Sequence, residues 1–276
     1  MTNTGRAVDR THPRNSSDTG EGPAMTGAFR PVTIDDSPQL LETSHRLRYQ
    51  AYCLERRFLR AEDYPNQLEF DDFDRDSVHV GVLGAEGQLA GTARIVKPNS
   101  AGLPAFRHCS LFSADTTLAG EGNKVVEISR VCINRRYTRR RDEGICEGSQ
   151  AVASGDGRRD VFATLIEAVY HATKRLGATH WLIAIEKPLR RRLARYGLPF
   201  QLAGPEVDYY GRVAPYIMNM AEFDRVIIGR QFAALDDFAL ELPPGLWPEL
   251  DGHNSRLYAR RASLPSVHPL NTLVAA

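Results

Sequence analysis

Cysteine is scarce, net charge is almost absent, and no long apolar run occurs. Four cysteines, Cys53, Cys109, Cys132 and Cys146, stand in 276 residues. None forms a C-x-x-C pair and no histidine stands at zinc-ligand spacing, which argues against a zinc site or a disulfide framework. They read as reduced thiols of a cytoplasmic protein, with Cys53 and Cys132 in the core. Cys146 lies in a polar loop with arginine nearby, but nothing in the spacing pairs it with a base. No stretch approaches the ~20 apolar residues that span a bilayer, so no transmembrane segment is expected and only peripheral membrane contact stays open. The formal net charge of +1 gives no global field for nucleic acid, so anion recognition must be local. No calcium-loop pattern is present, and no metal is expected.

What the chain does contain is an ordinary globular composition, 42% hydrophobic and 25% charged, enough for a sizeable core. Residues 1–27, rich in Thr, Gly, Ser, Asn and Arg, read as a disordered leader without an apolar signal region. From Phe29 a strand is expected, and Ser37-Pro38 then carries an N-cap hydroxyl and a proline at the first helical position. Leu40, Leu47, Ala51, Leu54 and Phe58 recur as one apolar helix face, with Arg48 and Tyr52 sharing a second. Val78–Leu83 and Leu89–Val96 read as a hairpin, and Val125–Ile133 as a largely buried strand. Residues 135–159 are Arg- and Gly-rich without periodicity. Beyond them come a helix from Val161 to Gly177, a strand at Thr179–Ile185 and a short basic helix at Pro188–Tyr196. Strands at Pro199–Leu202 and Tyr210–Met220 and a helix at Glu222–Leu240 complete the pattern. The expected class is α/β, a mixed central sheet flanked by helices. The expected division is a leader (1–27), a catalytic domain (28–229) and a C-terminal helical extension and tail (230–276).

Charged residues inside apolar segments carry the chemistry. Glu127 and Arg130 interrupt the most apolar strand, and Arg94 sits in Gly91-Thr92-Ala93-Arg94-Ile95-Val96. An unpaired buried charge costs several kcal/mol, so these side chains must pair, shift pKa or face a wet cleft. Strand alternation could instead turn Arg94 to solvent, or Arg94 and Glu127 could form a structural ion pair. Asp71 and Asp74, in an acidic aromatic loop that begins at Glu69, fit either a polar turn or a pair of carboxylates that holds an amine.

In order and spacing, Arg48-x-x-x-Tyr52, Phe58, Asp71-x-x-Asp74, Arg94 and Glu127-x-x-Arg130 resemble the acyl-homoserine-lactone synthase pattern. Closer still, residues 46–53, Glu127-Ile128-Ser129-Arg130, Gly204-Pro205, Tyr210-Gly211 and Pro215-Tyr216 look like the exosortase/PEP-CTERM-associated acyltransferases, relatives of the N-acyl amino acid synthases. The resemblance covers about Phe29 to Asp224. It implies a GNAT-like fold (that of acyl-CoA N-acyltransferases), with donor and acceptor meeting where central strands splay apart. It also implies a thioester co-substrate, on acyl carrier protein through phosphopantetheine or on coenzyme A, and no permanently bound cofactor. The lactone synthases carry Trp where this chain has Phe58, which argues against S-adenosylmethionine as acceptor. The glycine-rich pyrophosphate loop of ordinary GNAT enzymes is replaced by a run that includes Arg139, Arg140 and Arg141. These can hold the carrier's phosphate or its acidic surface, or form a flexible charged loop.

The expected activity is transfer of a long-chain acyl group to the amine of an amino acid or similar small molecule. Glu127 is the expected base, assisted by Arg130. Arg48, Tyr52, Phe58, Asp71, Asp74 and Arg94 would bind substrate, and a backbone N–H on the Ser129 to Val131 strand would stabilise the oxyanion. Acyl carrier protein is the expected partner, and nucleic acid is not one. A non-catalytic acyl-binding module on the same fold, or transfer to a hydroxyl or a sugar amine, remains the alternative.

Overall fold

In a computed structural model, the chain is described at residues 29–100, 102–112, 122, 124–137, 160–229 and 238–248. The expected leader, Arg139, Arg140, Arg141 and Cys146 lie outside the described residues. Eight strands are present among those described: β1 (Arg30–Thr33), β2 (Ser77–Leu83), β3 (Leu89–Val96), β4 (Val125–Ile133), β5 (His180–Ile185), β6 (Gln201–Leu202), β7 (Val207–Asp208) and β8 (Arg212–Asn219). The helices are α1 (Pro38–Tyr49), α2 (Pro104–His108), α3 (Val161–Arg175), α4 (Lys187–Arg195) and α5 (Met220–Ile228). The sheet order is β1-β2-β3-β4-β5-β8-β6, with β7 paired to β8. All pairs are antiparallel except β4 with β5.

Alternation along β2 separates the two faces of the sheet. Val80 and Val82 join the main core with α3, while Leu83 packs with Ile34, Leu89 and the α1 side chains Leu40, Leu41 and Leu47. Period two places such residues on opposite sides, so α1 and α3 cover opposite faces. Helix α3 is buried from Val161 to Thr173. The segment that holds Phe238, Leu242 and Trp247 joins the same core. Its Phe238 carbonyl lies 2.6 Å from His171 Nε2.

Ser37 caps α1 as its sequence announces: Oγ accepts from the Leu40 N–H at 3.3 Å, and Pro38 opens the helix. Replacing Ser37 with alanine should therefore cost about 1 kcal/mol, seen as a Tm about 2–4 °C lower in a domain of this size. An unchanged Tm would mean that the cap contributes nothing.

Three expectations need correction. The first helix does not run regularly to Phe58, because α1 passes at Gln50 into a π-helical turn that ends at Glu55, and Arg57 has φ 55°. The wider turn rotates later residues, so Leu54 is exposed instead of continuing the apolar face. The helix expected at Glu222–Leu240 ends at Ile228, and Phe238–Leu240 lie in a turn. The connection after β3 contains α2, and β7 precedes β8; at five and two residues, both are too short to show a period.

Candidate active site

Strands β4 and β5 are paired only from Val125/His180 to Glu127/Leu182. Beyond that point β4 continues to Ile133 along β3, and β5 to Ile185 along β8. The two central strands part there, so beyond Glu127 the edge of β4 turned toward β5 has no strand partner, while its other edge stays paired with β3. Glu127 is the last paired residue, at the vertex.

A β-bulge shapes the open wall. Thr92 faces Cys132 and Arg94 faces Ser129, so Ala93 stands opposite both Arg130 and Val131. Arg130 has φ 51°, a left-handed conformation that costs a non-glycine residue of order 1–3 kcal/mol. The extra residue lets Ser129 and Arg130, adjacent in sequence, both serve the same side. Arg94 Nε donates to Ser129 Oγ at 3.1 Å, and Arg94 and Arg130 both reach Asp71.

Three arginines and three carboxylates interlock beside this wall. Arg48 donates to Glu69 at 2.5 Å and to both oxygens of Asp74 at 2.6 and 2.9 Å. Arg130 donates to Glu69 at 2.9 Å and to Asp71 at 3.0 Å, and Arg94 donates to Asp71 at 2.6 Å. Arg48 and Arg94 are 1% exposed and Glu69 is fully buried. These contacts hold Asp74 well below the usual carboxylate range despite its burial, through hydrogen bonds from His79 and Arg48. Asp71 caps the following 3-10 turn and keeps the most solvent contact of the three acids, at 29%. Arg94 therefore neither faces solvent nor pairs with Glu127. Its partners are Asp71, Asp74 and Ser129.

Glu127 is 3% exposed and makes no ion pair among the described residues. Its Oε2 accepts from the Ala105 N–H in the first turn of α2 at 2.7 Å. Burial pushes its carboxyl up to about 7, against the lowering effects of that N–H, Arg94 and Arg130. A carboxylate poised near neutral pH beside an opening in a sheet suits proton transfer.

Aromatic side chains surround Arg130. Its guanidinium lies 5.4 Å from the Tyr52 ring centre and 5.6 Å from that of Tyr210. The Tyr52 hydroxyl lies 3.4 Å from the Val131 carbonyl. Tyr209 stacks on His108 of α2 with ring centres 4.0 Å apart, and burial raises its phenol to about 12. Phe58 lies 6.3 Å from Tyr52, ring centre to ring centre, and packs against Gly211 in the β7–β8 turn. Gly211 has φ 99°, and an added Cβ would lie 3.2 Å from the Phe58 ring. Gly211→Ala should cost about 1–3 kcal/mol from the backbone alone. If Phe58 lines the acceptor space, Gly211→Ala also raises the acceptor KM; an unchanged KM would remove Phe58 from that role.

The structure thus brings together Arg48, Tyr52, Phe58, Asp71, Asp74, Arg94, Glu127, Ser129, Arg130 and Val131. Sequence reasoning missed Glu69, Tyr209 and His79. His45, Asp74 and His79 also bring metal-ligating atoms within reach of one another. Both ring nitrogens of His79 and both oxygens of Asp74 already face hydrogen-bonding partners, so the chemistry is that of an ion-pair assembly. Cys132 is buried in the site, and burial raises its thiol to about 12, which makes it a poor nucleophile.

Residues 47–145 match the family model described as an acetyltransferase (GNAT) domain. The fold is GNAT-like. FeeM, an N-acyl amino acid synthase from uncultured soil microbes, has a TM-score of 0.50 at 16% identity, over 73% of this chain and 95% of that one. BjaI, a CoA-dependent acyl-homoserine lactone synthase, has 0.49 at 16% identity, over 84% and 99%. The lactone synthase LasI has 0.48 at 15%, over 75% and 96%. The likeness to FeeM is one of fold. No curated protein sequence matches the chain. No helix among the described residues is long and apolar enough to cross a membrane.

Proposed function

We propose that this GNAT-like chain is an N-acyltransferase that moves a long-chain acyl group from a thioester to the amine of an amino acid or similar small acceptor. The observation that carries the reading is Glu127: a buried carboxyl raised to about 7, at the point where β4 and β5 part. The donor carbonyl would lie along the edge of β4 that β5 leaves, and a backbone N–H on the Ser129 to Val131 segment would stabilise the oxyanion. Glu127 takes the amine proton, directly or through a water, and the nitrogen attacks the thioester carbon. The N–C bond forms, the C–S bond breaks, and the proton passes from Glu127 to the thiolate or to solvent. No acyl-cysteine is needed.

The hydrogen bonds refine the acceptor roles. Each oxygen of Asp74 accepts from two partners inside the network, whereas Asp71 Oδ2 accepts from Arg130 and Asp71 keeps more solvent contact, so Asp71 is our candidate for the acid that meets an ammonium. Arg48 and Asp74 hold the frame, and Tyr52, Phe58 and Tyr210 supply the aromatic walls. Carrier protein and coenzyme A both deliver a phosphopantetheine thioester. Arg139, Arg140 and Arg141 are our candidates for its phosphate or for the carrier's acidic surface. An assay of free-thiol release from long-chain acyl carrier protein, and separately from acyl-coenzyme A, tests the reading. Release that depends on added amino acid supports it. Thioester binding without release would leave only an acyl-binding module.

A further inference from the structure

His79 on β2 belongs to no part of the site described so far as machinery, yet its side chain is clamped. It is 3% exposed and stands opposite Arg94 of β3 in register. Asp35, in the loop after β1, grips it twice: Oδ2 accepts from the backbone N–H at 2.8 Å and Oδ1 lies 2.6 Å from Nδ1. On the other side Nε2 lies 2.9 Å from Asp74 Oδ1. Both ring nitrogens therefore face carboxylate oxygens. A neutral imidazole has one N–H and one lone pair, so either neutral tautomer would aim a lone pair at a carboxylate. The imidazolium satisfies both contacts.

Charge balance agrees. With His79 protonated, Arg48, Arg94, Arg130 and His79 oppose Asp35, Glu69, Asp71 and Asp74, four against four. The other groups that face His79 are Arg94 from β3, and Arg48 and His45 from α1. The His45 ring stands edge-on with its centre 6.1 Å away. Burial and Arg48 lower the His45 pKa, which disfavours a second cation beside His79.

We propose that His79 is a positioning residue for the acceptor site, an imidazolium that fixes the Asp74 carboxylate and through it Asp71 and Arg48. Asp74 transmits the effect: Oδ1 receives His79 and Arg48, and Oδ2 receives Arg48 and the Asp71 N–H. Asp71 opens the turn that Asp74 closes by a reciprocal capping box. Deprotonation of His79 removes one donor, from Asp35 or from Asp74, and leaves the assembly with surplus negative charge. The two carboxylates hold the His79 pKa above the ordinary 6.5 although burial opposes them. A raised folded-state pKa gives stability that is fully present below the unfolded value of 6.5 and is lost as pH climbs through the folded pKa. Acceptor binding should weaken over the same interval.

The kinetic part rests on the acyltransfer reading; the protonation part does not. The first test is a ring-nitrogen NMR titration of the full 15N-labelled chain from about pH 5 to about pH 9, the interval in which histidine charge changes occur. His79→Gln assigns the resonance. Both nitrogens protonated at pH 7, with a transition above that of an exposed histidine, is the expected result. One unprotonated nitrogen at pH 7 overturns the proposal, whatever the protein catalyses. The second test compares His79→Gln, which keeps one donor, with His79→Leu, which keeps none. Acceptor KM should rise about tenfold or more in Leu and less in Gln, with kcat little changed, because hydrogen bonds to charged groups are worth about that factor. Equal KM values in wild type, Gln and Leu overturn it.

Discussion

Glu127→Gln should lower kcat by about 10²–10⁴-fold, the range for loss of a general base, while the protein stays folded. Glutamine is isosteric, and its Oε1 can still accept the Ala105 N–H that the carboxylate accepts at 2.7 Å. Acceptor and donor KM should change little, because the loss falls on the chemical step. Wild-type kcat should rise with pH through about 7, the value to which burial lifts this carboxyl, since only the ionised form accepts a proton. That rise should vanish in Glu127→Gln. The stability sign runs with burial: a carboxyl raised above its unfolded value favours the folded state at low pH, and that contribution fades as pH passes 7. Glu127→Gln should therefore be at least as stable as wild type above neutrality. Full turnover in this variant would sink the assignment.

Glu69→Gln should cost about 3–5 kcal/mol, the penalty for breaking a buried ion pair from one side. Glu69 is fully buried and joins Arg48 at 2.5 Å to Arg130 at 2.9 Å, so its neutralisation leaves a surplus buried positive charge. At about 2–4 °C per kcal/mol for a domain of 150–250 residues, Tm should fall by roughly 10 °C. Acyl transfer should fall with it, because Arg130 holds its left-handed conformation only where the surroundings enforce it. A loss of less than about 1 kcal/mol, the worth of an exposed ion pair, would show that Arg48 and Arg130 find other partners.

Local signals carried the reading of the sequence furthest. The Ser37-Pro38 cap, the β2–β3 hairpin and the bounds of β4 follow from capping chemistry and period, and the structure agrees at each. The charges at Arg94, Glu127 and Arg130 were legible as charges in apolar strands, because burial without compensation is expensive. Their partners were not legible. Arg130 reaches 61 positions back to Glu69 and 59 back to Asp71, and no spacing rule connects such residues. Glu69 looks like any acid in the run Glu69 to Asp74, and only the fold distinguishes the buried one. The bulge at Arg130 breaks the alternation on which face assignments rest. The π-helical turn at Gln50 did the same to Leu54. His79 reads as one more residue of a strand until Asp35 and Asp74 close on it from outside β2.

The most direct measurement incubates the purified chain with long-chain acyl carrier protein or acyl-coenzyme A and a pool of amino acids. Mass spectrometry then searches for acyl adducts, with Glu127→Gln beside the wild type. An N-acyl amino acid formed by the wild type and lost in Glu127→Gln is the expected result. No adduct from either donor, or an adduct that forms equally in both proteins, would contradict the account.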